Sequence, residues 1–82
     1  MSIGGQLIFL RAQEFDLLHT LSSHQGLVLS REQLLNLAWG YDYMGQTRTV
    51  DVHIGHLRKK LGGSSVRIET VTGIGYKLVL AD

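Results

Sequence analysis

The sequence predicts a small α+β domain in which helices come first and a β-hairpin comes last. Residues 47–61 carry apolar side chains at helical spacing, and Ser30–Gln33 has the pattern of a capping box that starts a helix. Residues 66–71 and 76–80 are rich in branched and aromatic side chains and flank a glycine-containing turn. The predicted order is strand, helix, strand, helix, helix, strand, strand.

The segment 47–61 is the best-patterned helix of the chain. At 100° per residue its apolar side chains fall on one stripe that must face a core, formed by Val50, Ile54, Leu57 and Leu61. Gly62 and Gly63 end the helix, and three cations lie in its last turn, where the helix dipole favours positive charge. The opposite face is cationic and comprises, with its flanks, Arg48, Thr49, Asp51, Val52, Gly55, His56, Arg58 and Lys59.

The first part of the chain predicts one helix between two short strands. Gln6–Leu10 and Leu27–Leu29 are apolar runs, the second read as a buried strand. A helix fits from Arg11 to about Ser23 and ends before Gly26. The side chains expected to face the core from this helix are Phe15, Leu17, Leu18 and Leu21.

A second helix begins at the capping box and a loop follows it. Ser30 and Gln33 cap the first turn, with Leu29 and Leu34 placed to form a hydrophobic staple. The helix is expected to run through Trp39 and to stop at Gly40. Loop 40–46 then carries two tyrosines and a methionine, which either pack on their neighbours or form a partner site.

Chain length, cysteine content, apolar runs and charge distribution limit the classes of function that the chain can have. The 82 residues form one domain, 1–82, of which residues 1–5 are expected to be disordered or derived from an expression vector. Without cysteine there is neither a disulfide framework nor a thiolate metal site. No apolar run approaches the roughly 18 residues of a membrane span, so we expect a soluble, cytoplasmic protein. Residues 1–46 carry two cations against four carboxylates and residues 47–82 carry six against three, which favours a polyanionic partner.

The sequence does not predict an enzyme. His53 and His56 stand three apart on one helix, but no third ligand other than Asp51 lies at a matching spacing, so no metal site is expected. The run from Gly73 to Leu78 lacks the final glycine of a dinucleotide-binding loop and lies within a hairpin. No serine lies in a nucleophile-elbow pattern. We therefore expect no cofactor.

Two helices, a basic-faced third helix and a glycine-tipped hairpin form the layout of a winged helix-turn-helix. The major groove of DNA is about 12 Å wide and admits one α-helix. Small side chains at Val52 and Gly55 would allow close approach, and Arg48, His56 and Lys59 would reach base edges or phosphates. The alternative for this helix alone is a solvated charged face.

Three segments resemble the output domain of OmpR/PhoB-type response regulators. They are S-R-E-Q-L-L-N-L-A-W-G-Y (30–41), R-T-V-D-V-H-I-G-H-L-R-K-K-L (48–61) and I-E-T-V-T-G-I-G-Y-K-L (68–78). The resemblance covers about residues 7–80. It implies a winged helix-turn-helix that binds direct-repeat promoter DNA as a head-to-tail dimer. It also implies regulation by phosphorylation of an upstream receiver domain, which this chain does not contain.

The resemblance also implies roles for individual residues. The recognition-helix contacts are Arg48, Val52, His53, Gly55, His56, Arg58 and Lys59, and Thr49 belongs to the same face. Phosphate contacts at the second helix are Arg31 and Trp39. Contacts of the wing are Thr70, Thr72, Gly73 and Tyr76. The loop that meets RNA polymerase contains Tyr41, Asp42, Tyr43 and Met44.

Four departures from the family pattern modify these expectations. Arg11 stands where threonine is common, so the capping box with Glu14 loses its hydroxyl, at a cost of about 1 kcal/mol and with a ragged helix start. In the family, basic residues often occupy the positions of Gly55 and His56, and an arginine commonly occupies the position of Thr72. This chain therefore lacks the usual arginine that enters the minor groove. Of a four-stranded N-terminal sheet, only the last strand is expected.

Two other functions remain open from the residues alone. One is a winged helix that recognises proteins through loop 40–46, with Tyr41, Tyr43 and Met44 as the contact patch. The other is a small RNA-binding module, which is disfavoured because the stacking aromatics that it needs on a sheet face are lacking.

Overall fold

The structure, a computed structural model, describes residues 2–3, 6–7, 9–40, 43, 45–62 and 64–80. The helices are α1 (Ala12–Ser23), α2 (Arg31–Leu34), which continues into a π-helical turn (Leu35–Trp39), and α3 (Arg48–Leu61). The strands are β1 (Ser2–Ile3), β2 (Gln6–Leu7), β3 (Leu29–Ser30), β4 (Val66–Val71) and β5 (Gly75–Leu80). The predicted winged helix-turn-helix layout is confirmed.

The C-terminal hairpin is the centre of a three-stranded antiparallel sheet with strand order β3-β5-β4. Strands β4 and β5 pair from Val66 opposite Leu80 to Val71 opposite Gly75, and β3 pairs with β5 at Leu29 opposite Tyr76. The turn at residues 72–74 places Gly73 at φ 78°, a left-handed conformation that favours glycine. This hairpin is the wing, and β3 fixes it to the start of α2.

The hydrophobic core lies between the helices and one face of this sheet. The four apolar side chains predicted for α3 are all buried, which confirms that stripe. Because α3 is held by one face only, its opposite face stays at the surface. The buried apolar side chains of the core are Leu17, Leu18, Leu21, Leu29, Leu34, Leu35, Val50, Ile54, Leu57, Leu61, Ile68, Tyr76 and Leu78.

The N-terminal strand differs from the prediction. Strand β2 covers only Gln6–Leu7 and pairs antiparallel with Ser2–Ile3. Phe9 lies outside any strand and is 80% exposed. An apolar run extends as a strand only as far as it has a partner, and β1 is two residues long. Met1, Gly4, Gly5 and Ile8 lie outside the described residues.

The core face of α1 is rotated from the predicted one. Phe15 is 43% exposed and stacks on His19, with ring centroids 6.1 Å apart, whereas Glu14 is only 3% exposed. Glu14, Leu17, Leu18 and Leu21 keep strict helical spacing, and Phe15 falls about 100° from that stripe. The expectation that Phe15 is a core residue is therefore wrong, because Glu14 takes the inward position.

The starts of the first two helices follow their caps. Helix α1 begins at Ala12, and the N–H of Arg11 donates to Glu14 Oε1 at 3.0 Å, so only the carboxylate half of a capping box forms. The full box predicted at α2 is confirmed: the Ser30 N–H donates to Gln33 Oε1 at 2.8 Å, and the Gln33 N–H donates to Ser30 Oγ at 3.1 Å.

Two further details correct the prediction around α2. The strand expected at residues 27–29 is shifted to Leu29–Ser30. The Gly26 N–H donates to the Leu78 carbonyl of β5 at 2.9 Å, but strand pairing begins only at Leu29, and Leu27 between them is 60% exposed. The single α-helix expected through Trp39 becomes a π turn after Leu34 and ends at Gly40, whose φ is 104°. Within the described residues, no helix is long and apolar enough to cross a membrane.

Candidate nucleic-acid interface

Helix α3 presents an open polar face opposite its buried stripe. Arg48, His56 and Lys59 are exposed on this face, and Val52 is 48% exposed. A Cβ placed on Gly55 would meet no heavy atom within 4 Å, so the middle of the face is open space. Among the described residues, nothing stands over Gly55, so a partner can approach the helix closely at this point.

A column of rings links the end of α2 to the side of α3. Trp39 and His53 meet edge to face with centroids 5.1 Å apart, and His53 lies 6.0 Å from His56. The His53 Nδ1–H donates to the carbonyl of Thr49 at 2.9 Å. In the neutral ring this leaves Nε2 as an acceptor. The structure thus brings together Trp39, Thr49, His53 and His56, which the sequence predicted as site residues.

Asp51 joins two predicted site residues that are distant in sequence. Its Oδ1 lies 3.1 Å from Arg31 Nε and accepts a hydrogen bond from the Tyr76 hydroxyl at 2.5 Å. Burial, and then the hydrogen bond and negative charge of Asp51, raise the pKa of Tyr76 above its ordinary value of 10.0. The Tyr76 hydroxyl therefore stays protonated and acts as a donor. Sequence reasoning did not assign this linking role to Asp51.

Arg58 crosses from α3 to the wing. Its Nε and Nη2 donate to the Ile68 carbonyl at 3.1 and 2.9 Å, and Nη2 also donates to Thr70 Oγ1 at 2.6 Å. The guanidinium carbon lies 5.6 Å from the centroid of the Tyr76 ring. Two predicted contacts, Arg58 and Thr70, are thus bonded to each other, and Tyr76 is only 6% exposed beneath them.

The tip of the wing borders a groove at the start of α3. The groove has a volume of about 320 Å³ and is lined by Arg31, Glu32, Thr47 and residues 70–76. Thr72 and Gly73 are exposed, and Ile74 is 61% exposed. Residues 70–76 carry no charged side chain, so Arg31 is the cation that borders this groove.

An ion pair between a buried carboxylate and a partly exposed lysine lies behind the C-terminal half of the open face. Glu14 Oε1 accepts from Lys60 Nζ at 2.5 Å, and Glu14 Oε2 lies 3.8 Å from His56 Nδ1. Burial acts most strongly on this carboxyl and opposes its ionisation. Lys60 and the Arg11 N–H together outweigh burial, so the pKa of Glu14 lies below its usual 4.5. The spacing of Glu14 with Leu17, Leu18 and Leu21 was the available signal for this residue.

The loop that the sequence predicted to meet RNA polymerase is described only in part. In the loop proposed to contact polymerase, Tyr43 is 38% exposed and its ring centroid lies 6.2 Å from that of Trp39. Tyr41, Asp42 and Met44 lie outside the described residues.

Among the described residues, no three His, Asp or Glu side chains come together as a metal site would require.

Comparison with known families decides the identity of the domain. Residues 5–78 match the family described as "Transcriptional regulatory protein, C terminal". The chain belongs to this family. Its members are regulators and not enzymes, in agreement with the sequence prediction.

Curated relatives place the transcriptional regulatory C-terminal domain within larger proteins. The chain is 46% identical over 81 residues to the sensory transduction protein RegX3 of Mycobacterium leprae, covering 95% of this chain and 41% of that protein. It is 49% identical over 72 residues to the alkaline phosphatase synthesis transcriptional regulatory protein PhoP of Bacillus subtilis, covering 84% and 30%. The chain thus spans less than half the length of these relatives. The predicted resemblance to response-regulator output domains is confirmed.

Solved structures of the family share the fold. The DNA-binding domain of Bacillus subtilis CssR matches with a TM-score of 0.79 and 40% identity, over 90% of this chain and 82% of that one. The DNA-binding domain of Klebsiella pneumoniae RstA, solved in complex with the RstA box, matches with a TM-score of 0.78 and 38% identity, over 98% and 80%. The DNA-binding domain of AdeR, solved in complex with an intercistronic region, matches with a TM-score of 0.77 and 29% identity, over 94% of this chain and 76% of that one.

Proposed function

We propose that this chain is the sequence-specific, double-stranded DNA-binding output domain of a two-component transcriptional regulator. One observation carries the proposal: α3 buries one apolar stripe and leaves Arg48, Val52, Gly55, His56 and Lys59 on an open face. A single helix of this kind fits the major groove, where arginine reads guanine and apolar groups meet thymine methyls. Cations on the same face bind phosphates.

The wing and α2 add contacts on either side of α3. Arg31 borders the groove between α2 and the wing tip, and Thr72 and Gly73 are exposed at that tip. These residues contact the DNA backbone next to the major-groove site. Because the tip is uncharged, the wing contributes hydrogen bonds from hydroxyl and backbone groups and little electrostatic attraction.

The partners of the intact protein are part of the same proposal. The DNA complexes of the RstA and AdeR domains support promoter DNA as the ligand. The full protein carries an N-terminal receiver domain whose phosphorylation promotes head-to-tail dimerisation on direct repeats. It acts in the cytoplasm and meets RNA polymerase through loop 40–46.

The salt dependence of DNA affinity tests the proposal. An operator is first selected from random oligonucleotides, and the affinity is measured at several salt concentrations. Each phosphate contact contributes about −0.9 to the slope of log affinity against log salt. Lys59→Ala should flatten the slope by about that amount. Arg67→Ala, at the base of the wing about 17 Å along the strand from Thr72, is the matched control and should leave the slope nearly unchanged.

A second candidate function is protein recognition by loop 40–46. It is favoured by the partly exposed Tyr43 ring beside Trp39. Titration of isotope-labelled domain with the selected DNA separates the two functions. Amide shifts along residues 48–59 support DNA binding. DNA binding would be overturned by amide shifts confined to loop 40–46 together with a salt-dependence slope that neither Lys59→Ala nor Arg67→Ala changes.

A further inference from the structure

We propose that Arg58 is a positioning residue that fixes the wing to the recognition helix α3, and that its Nε–Nη2 edge does not hold a phosphate. The inference rests on the proposed function for its consequence in DNA binding. We call the set of contacts that joins the wing to α3 the bracket, and all of these contacts lie within the domain. It comprises Arg58 and Asp51 on α3, Ile68 and Thr70 on β4, and Tyr76 on β5.

The guanidinium of Arg58 is already engaged along one edge. Nε and Nη2 share the Ile68 carbonyl, and Nη2 also donates to Thr70 Oγ1. This Nε–Nη2 edge is one of those through which arginine holds a phosphate with two parallel hydrogen bonds. To bind DNA in this way, Arg58 would have to break its contacts to β4. This edge of the guanidinium positions the hairpin instead.

Tyr76 gives the bracket a second attachment point. Its hydroxyl donates to Asp51, and its ring lies beneath Arg58. Asp51 and Arg58 are seven residues apart on α3, which corresponds to two turns and about 10.5 Å along the helix axis. The hairpin is also held by its pairing with β3 and by the buried side chains of Ile68 and Leu78. Two attachments this far apart set the angle between the wing and α3 before DNA arrives.

Lys59 provides the contrast on the same helix. It directly follows Arg58 and is exposed, and within the described part of the chain it has neither an ion pair nor a side-chain hydrogen bond. Neighbouring cations of α3 therefore have separate tasks. Lys59 is available for phosphate, and Arg58 sets the position of the wing.

Amide hydrogen exchange without DNA tests the bracket directly. We compare the wild type with Arg58→Ala, Arg58→Lys and, as the matched control, Lys59→Ala. Lysine keeps the charge but lacks the planar fork, so it cannot reproduce the bonds to both Ile68 and Thr70. Both Arg58 variants should accelerate exchange in residues 67–76 by about tenfold relative to Leu17 and Leu18 of α1. Lys59→Ala should change nothing there.

Three results would overturn the proposal. They are wild-type exchange in Arg58→Ala, recovery of slow exchange in Arg58→Lys, and equal acceleration in the hairpin and α1. The last result would mean general destabilisation instead of release of the wing. Thr70→Val removes one acceptor and should give an intermediate acceleration confined to the hairpin.

DNA footprinting adds the functional consequence. Arg58→Lys should lose protection at the flank covered by the wing while keeping it over the α3 site. A phosphate ligand would be largely replaced by lysine, so an unchanged footprint would contradict the proposal. If the wild type bound no DNA, the proposed function would fail, yet the exchange data would still decide whether Arg58 holds the wing.

Discussion

Glu14 Oε1 lies 2.5 Å from Lys60 Nζ, and this contact joins the first turn of α1 to the last turn of α3 across 46 residues. The Glu14 side chain is 4% exposed and that of Lys60 is 35% exposed. A buried carboxylate is costly unless it is paired and hydrogen-bonded. The pair therefore anchors the C-terminal end of α3 while the opposite face of that helix remains free.

Removing the cation should destabilise the domain more than neutralising the acid. Lys60→Met leaves a buried charge without its ion-pair partner, and we expect a loss of about 2 kcal/mol, below the value for a fully buried pair because Lys60 is partly exposed. Glu14→Gln retains an acceptor for Arg11 and should lose about 1 kcal/mol. Urea denaturation measures both. Lys59→Met on the same turn is the control and should change stability by less than about 0.5 kcal/mol.

The same pair should make stability depend on pH in the acid range. The pKa of Glu14 is lowered in the folded state, despite burial, by Lys60 and the Arg11 N–H. A depressed folded pKa stabilises the fold above the unfolded value of about 4.5, and this contribution is lost as the pH falls through the folded value. As the pH is lowered from about 7 to about 3, the urea midpoint of unfolding should fall less steeply for Glu14→Gln than for the wild type. Parallel curves would contradict this assignment.

Two glycines should respond in opposite directions to the same substitution. A Cβ on Gly75 would overlap the backbone carbonyl of Leu29, so Gly75→Ala must separate β3 from β5 and should cost about 1–3 kcal/mol. Gly55 lies inside α3 with open space around it, so Gly55→Ala should stabilise the domain by about 0.5–1 kcal/mol. Thermal unfolding measures both variants. A stable Gly75→Ala protein would mean that β3 does not approach β5 closely.

Arg48 and Lys59 should contribute differently to DNA recognition. Arg48 is exposed in the first turn of α3, the end of a recognition helix that commonly contacts base edges. Arg48→Ala should reduce discrimination against single-base changes at one operator position by about 1–3 kcal/mol. Lys59→Ala should weaken all sequences alike. Competition binding with single-base operator variants measures both, and equal loss of affinity for every variant in Arg48→Ala would exclude a base contact.

The sequence predicted those features that depend on neighbours along the chain. The stripe of α3 follows from helical spacing over 14 residues, and the cap of α2 from two residues three positions apart. The hairpin follows from its glycine turn. The exposed face of α3 was predicted as well, because it is the complement of the buried stripe.

Contacts between distant segments were not predictable in the same way. The apolar side chain of Phe15 suggested burial more strongly than the carboxylate of Glu14, although Glu14 has the helical spacing of the core leucines. The cation that pairs with the buried carboxylate, Lys60, lies on another helix. The bonds from Arg58 to Ile68 and from Tyr76 to Asp51 likewise depend on how the sheet docks against α3. No spacing rule within one segment contains that information.

The π turn after α2 has a consequence for chain length. Its hydrogen bonds span five residues, so Trp39 returns to the side of Leu34, where an α-helix would bring Ala38. A chain one residue shorter here would place the same tryptophan on the same side with an ordinary α-helical turn. The wide turn thus absorbs one additional residue locally. We expect proteins of this fold that differ by one residue in this helix to keep the contact of the tryptophan with α3, with the length difference confined to the turn.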